Sequence, residues 1–403
     1  MDSAILNDPF LLAKKHLLEL TRGLPSGTVP VSVIQDLSSM HPDWPVWPDL
    51  ALSDLIGPPN VRLKEVDLRW LHRFRATIAL LGWLSAQLGG PKGGPSALSL
   101  VVERAPILGH RGWGAVSAGG SCRILTTADG QIAANLPRVE DQSSVAAWLD
   151  APIEGTDWAS IERAVQQVTS SELLSRAKLL GMPISAVGET KVPSGFEYNI
   201  GKEIQLKQKP RVVDLSSMWA GPLCSWYLMR CGAEVTKIES LLRPEKPRNR
   251  PDIFYQRLNQ GKEIIPLDFS SSIDLERLRN IIRGSDIIIE GSRPRALEHL
   301  GIDAKEEVER GAIWCSITGY GRRWNPHRVG FGDDAAAGAN LLAEINGSLW
   351  FMGDAIADPI TGATAATLVL GYWLGCSSAL LDLGLSPTAA LYSQGLLSRA
   401  SSF

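Results

Sequence analysis

The sequence predicts an α/β protein built on a doubly wound, mostly parallel sheet, with a second, smaller α+β domain. Three observations predict it. From residue 211 onward, short β-branched runs alternate with amphipathic stretches of helical period. Before residue 210 the texture changes to turn-rich segments, a hairpin signal and separate helices. The chain has 403 residues, 44% of them hydrophobic, which is enough for a sizeable core or two.

Taken in order, residues 9 to 22 read as a helix, and the Pro/Trp-rich "HPDWPVWPDL" as a loop with buried tryptophans. "FRATIALLGWLSAQLGG" reads as a helix closed by glycines. "CRILTTADGQIAANL" reads as a hairpin around Asp129-Gly130, and "SELLSRAKLLGMP" as a helix stopped at Gly181. These features place a helical region at 1–110, which completes or bridges the large domain, and a small α+β domain at 111–190. Residues 191–210, polar and rich in turn residues and lysines, read as a linker.

The large domain occupies 211–403. "RVVDL" is strand-like, "PLCSWYLMRCG" is a helix ending at Gly232, and "EVTKIE" is a second strand, which makes a βαβ unit. "IIPLDF", "SIDLERLRNIIRGS", "DIIIEG", "RALEHLG" and "AIWCSITG" continue the alternation, giving a Rossmann-like sheet. Ligands of such a sheet collect at the carboxyl ends of its strands. The turns there are "SSMWAGP", "EGSRPR" and "SITGYGRR". Residues 360–381, "ITGATAATLVLGYWLGCSSALL", carry no charge and are long enough to span a bilayer. Small and hydroxylated residues dominate the run and no Lys/Arg anchors flank it, so a buried core helix is expected instead.

Composition narrows the function. A net charge of −3 gives no global basic field for nucleic acid. Cys122, Cys224, Cys231, Cys315 and Cys376 form no CxxC and lie in or beside apolar segments, which predicts buried free thiols and a reducing, cytoplasmic setting. The six histidines are scattered without metal-ligand spacing, so no metal is expected. The N-terminus lacks the pattern of a signal peptide. "FMGDAIADPITG" sets Asp354 and Asp358 before the uncharged run. On residue types alone Asp358 is an N-cap for a helix begun by Pro359.

Six segments in order, "VVDLSSMWAGP", "GAEVTKIES", "LNQGKEIIPLDF", "SRPRALEHLGI", "SITGYG" and "GDAIADPITG", resemble the class III CoA-transferases, the family of formyl-CoA transferase, carnitine CoA-transferase and α-methylacyl-CoA racemase. The resemblance runs over about residues 210 to 380. It implies that Asp358, followed four residues later by Gly362, is the acyl-accepting nucleophile, whereas Asp354 has no counterpart. It further implies substrate and CoA contacts at Trp219, Ala220, Gly221, Arg243, Lys262, Arg293, Thr318, Gly319, Tyr320 and Asp333. The implied chemistry is CoA transfer from an acyl-CoA to a carboxylic acid through a mixed anhydride and an enzyme thioester. Coenzyme A is then a substrate moiety, no cofactor is tightly bound, and the partners are the two acids and a second copy in an interlocked homodimer, with neither nucleic acid nor membrane. The turns at Ala220-Gly221 and Thr318-Gly319 offer backbone amides to oxyanions.

The sequence also departs from the family. The segment that looks like the family's small domain precedes the sheet instead of following it, as in a circular permutation or half of a duplicated ancestor. Ser240 and Gly291 stand where relatives commonly carry Arg and Asn, and His299 stands at a nearby Arg position. Arg243, Arg248 and Arg250 would supply phosphate contacts from a shifted loop, or form a solvated charge run. Racemases of the family place His-Asp where this chain reads Gly332-Asp333, so racemisation would need His327 or Asp334 as the base. Asp333 and Asp334 otherwise serve as caps of an Ala-rich helix. A third alternative is a repurposed member that binds an acyl or carboxylate ligand without transfer.

Overall fold

The computed structural model describes residues 8–39, 52, 55–57, 66–245, 252–323 and 325–396. The "HPDWPVWPDL" segment, Arg248 and Arg250 lie outside the described residues. The chain opens with helices α1 (Pro9–Thr21), α2 (Val31–Ser39), α3 (Arg69–Gln87), α4 (Ala97–Val102) and α5 (Arg104–Leu108). Trp70, Phe74, Leu80 and Leu84 on α3 repeat at helical spacing and enter the main core, so this region shares the core of the large sheet.

The smaller unit is a three-stranded sheet, β1 (Cys122–Thr126), β2 (Gln131–Asn135) and β3 (Ile184–Ala186), all antiparallel. Between β2 and β3 run α6 (Val139–Ser143), α7 (Val145–Leu149), α8 (Trp158–Val165) and α9 (Ser170–Leu180). Its own core gathers Ile132, Trp148, Ile161 and Leu173. The hairpin turns at Asp129-Gly130, and α9 stops at Gly181, whose φ of 67° lies in the left-handed region.

The larger unit carries β4 (Glu197–Glu203), β5 (Arg211–Leu215), α10 (Ala220–Arg230), β6 (Glu234–Ser240), α11 (Ile253–Asn259), β7 (Glu263–Leu267) and α12 (Ser272–Arg283). It continues with β8 (Ile287–Glu290), α13 (Pro294–His299), α14 (Ala304–Arg310), β9 (Ile313–Thr318), α15 (Gly332–Gly338), β10 (Leu342–Ile345) and β11 (Ser348–Phe351). α16 (Ala357–Leu374), β12 (Ser377–Gly384) and α17 (Leu385–Ser393) complete it. Seven strands form one sheet in the order β4-β12-β9-β8-β5-β6-β7, parallel except for the edge strand β4. Val212, Val213, Ile288, Ile289 and Trp314 are buried on both faces, as a parallel sheet covered by helices requires. This is the α/β class that the alternation predicts.

Two readings are corrected. The uncharged run of residues 360–381 is not one helix: α16 ends at Leu374, and Ser377 begins β12. Cys376, with φ 52°, breaks the run, and because both elements are buried neither leaves a polar stripe to reveal its period. No helix among the described residues is long and apolar enough to cross a membrane. Within the 191–210 segment read as a linker, residues Glu197–Glu203 form β4, which pairs with β12 and closes that edge of the sheet.

Candidate active site

α16 begins at Ala357, so Asp358 stands inside its first turn and Ile356 holds the N-cap position. The Asp358 carboxylate instead accepts a hydrogen bond from the Ala220 N–H at the start of α10. Gly362 makes that contact possible. A Cβ there would stand 2.6 Å from the Ala220 carbonyl oxygen and 3.1 Å from the Leu223 side chain, so only glycine lets α16 and α10 come this close. The Asp-x-x-x-Gly spacing thus has a geometric reason. Gly332 lies on the opposite side, where a Cβ would fall 2.2 Å from Asp358 Oδ2.

The turn before α16 is held by charge. Arg104 of α5 grips Asp354 with both arms of its fork, Nε to Oδ2 at 2.7 Å and a terminal nitrogen to Oδ1 at 2.5 Å. His110 Nδ1 lies 3.2 Å from the same Oδ2. The Ala355 N–H donates to Asp333 Oδ1 at 2.8 Å, and the Ser117 hydroxyl donates to Asp333 as well. Ala355 and Met218, at the two turns flanking Asp358, hold left-handed φ values of 48° and 71°. Such strain in non-glycine residues gathers at functional sites.

Three acids therefore share one arginine. Burial pushes Asp358 up to about 7; Arg104 and the Ala220 N–H pull it down, and Asp333 and Asp354 push it further up. Burial and Asp354 likewise raise Asp333 to about 6. Asp354 behaves oppositely: burial works against its charge, but the hydrogen bonds from Arg104 and His110 hold it at about 2. Asp334, raised to about 7 by burial, faces away and ties the two units together, accepting from Asn135 Nδ2 and the Phe331 N–H at 2.9 Å each.

Asp358 opens into a cleft of about 500 Å³ outside the carboxyl ends of the strands. Ser216, Met218, Ala220 and Gly221 line it after β5, Ser240 and Arg243 after β6, Gly291 and Ser292 after β8, and Thr318 and Gly319 after β9. It straddles the position between β5 and β8 where the strand order reverses, the usual ligand site of a doubly wound sheet. Among the described residues lining it, Arg243 is the one basic side chain, and Glu239 and Glu245 line the same cleft.

Of the residues singled out in the sequence, Asp358, Ala220, Gly221, Arg243, Thr318 and Gly319 are brought together at this cleft. Trp219 is buried behind it, edge-to-face with Phe254 at 5.0 Å. Tyr320 is buried with the Arg328 guanidinium 3.7 Å from its ring centroid, and Asp333 is buried beside Asp358. Arg293 is exposed at the start of α13 and does not line the cleft.

Lys262 is placed elsewhere. Its ammonium is buried under β5, donating to Asp214 Oδ2 (3.1 Å), Ser225 Oγ (2.7 Å), Asn259 Oδ1 (2.9 Å) and the Pro222 carbonyl (3.0 Å). Burial opposes the Asp214 charge, yet Lys262 and Lys237 hold its carboxyl well below the usual range. Lys262→Met would strand that charge in the interior, and we expect it to cost about 3–5 kcal/mol in urea unfolding at pH 7. A change below about 1 kcal/mol would show that the pair is not a structural element.

Arg104, His110, Ser117 and the clamp on Asp354 were not legible in the sequence. They lie more than two hundred residues before Asp354, in a region without a recognisable motif.

Residues 208–373 match the sequence profile of CoA-transferase family III. An acyl-CoA transferase of Fusarium pseudograminearum is 29% identical over 217 residues, covering 46% of this chain and 47% of the relative. A CaiB/baiF CoA-transferase family protein of Caenorhabditis elegans is 32% identical over 114 residues (28% and 31%). A formyl-CoA:oxalate CoA-transferase of Escherichia coli is 31% identical over 122 residues (27% and 29%). The chain thus spans less than half the length of each of these relatives. A crystal structure of a CaiB/BaiF family protein from Brucella suis aligns with a TM-score of 0.42 at 23% identity, over 49% of this chain and 56% of that one. The matched segment 208–373 carries Asp358 and most of the residues that line its cleft.

Proposed function

We propose that the protein transfers coenzyme A from an acyl-CoA to a carboxylic acid, with Asp358 as the acyl-accepting nucleophile. One observation carries this reading: the Asp358 carboxylate does not cap its own helix but opens into the cleft at the switch point of the sheet, steadied by the Ala220 N–H. An aspartate in the first turn of an 18-residue helix also gains from the helix dipole once ionised.

In this reading the Asp358 oxygen attacks the thioester carbonyl, and the C–S bond breaks to give a mixed anhydride and CoA thiolate. The thiolate attacks the aspartyl carbonyl, releasing the donor acid and leaving an Asp358 thioester. The acceptor carboxylate then displaces the thiolate to form a second anhydride. Attack of the thiolate on its acyl carbon yields the new acyl-CoA and restores Asp358. One thioester replaces another, so no external energy source is needed. Amides in the turns at Gly221 and Gly319, both at the cleft, are suited to receive the oxyanions.

The test is incubation with succinyl-CoA and with formyl-CoA, each followed by hydroxylamine and peptide mass spectrometry. A hydroxamate on the peptide containing Asp358 is expected, and its absence with every acyl-CoA in a broader panel would remove the transferase reading. A second reading, an acyl-ligand binder without transfer, is favoured by Arg243 being the one basic side chain among the described residues of the cleft. It predicts acyl-CoA or acid binding in calorimetry with no adduct. We also propose a homodimer, interlocked as the family resemblance implies; sedimentation at micromolar concentration should give a dimer, and a monodisperse monomer would remove this proposal.

A further inference from the structure

The region before residue 208 lies outside the family segment, yet it sends one cation into the acid cluster. We propose that Arg104 is a positioning residue for the reaction: by gripping Asp354 it absorbs that neighbour's charge and leaves Asp358 as the carboxylate that turns anionic toward the cleft. The inference rests on Asp358 being the nucleophile.

The geometry is that of a built device. The Arg104 side chain is 15% exposed and that of Asp354 fully buried, so their two-pronged contact forms where water screens little. The guanidinium also lies 4.8 Å from the Trp219 ring centroid, and Trp219 is itself fixed against Phe254. The groups acting on Asp358 come from three elements: Arg104 on α5, Asp333 on α15 and Asp354 in the turn before α16. Arg104 is the one cation among them, while His110 contacts Asp354 at 3.2 Å. Without Arg104, the buried Asp354 charge would face Asp358 directly, and two close carboxylates do not ionise together readily. Without Asp354, the same arginine would be left to Asp358 and Asp333. The two removals should therefore act in opposite directions.

Asp358 is titrated in the full-length protein by reaction with a water-soluble carbodiimide and glycine ethyl ester, which modifies protonated carboxyls. Fragment mass spectrometry separates Asp358 from Asp354. For Arg104→Gln the pH of half-labelling at Asp358 should rise by one unit or more. For Asp354→Asn it should fall by half a unit or more, and the double variant should return toward wild type. A shift below 0.3 units in both single variants, or shifts of the same sign, would overturn the proposal. If Arg104→Gln fails to fold by circular dichroism, Asp354→Asn alone decides, because it retains the arginine.

Rates give the second readout, using whichever acyl-CoA the wild-type protein processes. Arg104→Gln should lose tenfold or more at pH 6.5 and regain most of it by pH 8.5. An equal loss at every pH would mean that Arg104 only supports the fold, and would overturn the proposal. If the wild type transfers no CoA but the labelling shifts appear as expected, the proposed function falls and the role of Arg104 in setting the charge of Asp358 stands.

Discussion

Asp358→Asn is expected to abolish CoA transfer, by about 10⁴-fold or more, while the protein stays folded. An amide cannot form the anhydride, and no other carboxylate takes over: Asp354 is locked to Arg104, and Asp333 is buried against Ala355 and Ser117. The stability of the variant should show what the carboxylate costs. Asp358 has a folded pKa of about 7, above the ordinary carboxylate value, so the native state holds its proton more tightly than the unfolded chain does. Its favourable contribution is complete below about pH 4 and is lost as pH rises through about 7. The asparagine has no charge to bury. Thermal unfolding should therefore place the variant higher relative to wild type at pH 8 than at pH 5. For the same reason, wild-type kcat/KM should rise with pH up to about 7, as Asp358 ionises. Wild-type transfer rates in the variant would sink the nucleophile assignment. A loss of stability at pH 8 matching that at pH 5 would instead show that the charge is not strained.

The sheet was legible wherever an element changed its period at a marked boundary. β5, α10 and β6 follow one another as a β-branched run, a helical repeat ended by Gly232 and a second β-branched run, and the structure keeps those limits within a residue or two. β12 was not legible, because an element buried on all sides loses the polar face that betrays its period. β4 was hidden for the opposite reason. As an edge strand it is largely exposed, and its charged residues imitate a linker. The site divides in the same way. Asp358 and Gly362 belong to one turn of one helix, and a local spacing announces them; their geometry gives that spacing its meaning, since Gly362 brings Ala220 within reach of Asp358. Arg104 has no such local signature. Within "VVERAPILG" it reads as an ordinary helical residue, and only the packing of α3 and α4 in the main core carries α5 to the acid cluster. Lys262 shows the converse: its motif resembles the family, but its four hydrogen bonds belong to the support beneath β5.

Gly332→Ala should damage both activity and stability, although it adds a single methyl group. The new Cβ would stand 2.2 Å from Asp358 Oδ2, 2.5 Å from the Ala355 carbonyl oxygen and 2.6 Å from the Ala355 Cβ. The backbone contact cannot be relieved by a rotamer change, and Ala355 is already held in a left-handed conformation between Asp333 and the Arg104–Asp354 clamp. Either the turn moves or Asp358 swings away from the Ala220 N–H. An overpacked site of this kind costs about 1–3 kcal/mol. A displacement of about 1 Å at a reacting group costs about 100-fold in rate, so transfer should fall by at least that much. The same argument bears on racemisation. The family resemblance implies a histidine at position 332 for a racemase, as a base beside the aspartate. Here no side chain fits at 332 while Asp358 holds its present position, so Gly332→His should lose transfer without gaining racemisation. Wild-type protein given a 2-methylacyl-CoA in D₂O should leave the α-proton unexchanged. Exchange at a rate comparable to transfer would identify a base elsewhere and favour an isomerase; Gly332→Ala with wild-type rate and melting temperature would show that the contact around Asp358 is looser than its geometry implies.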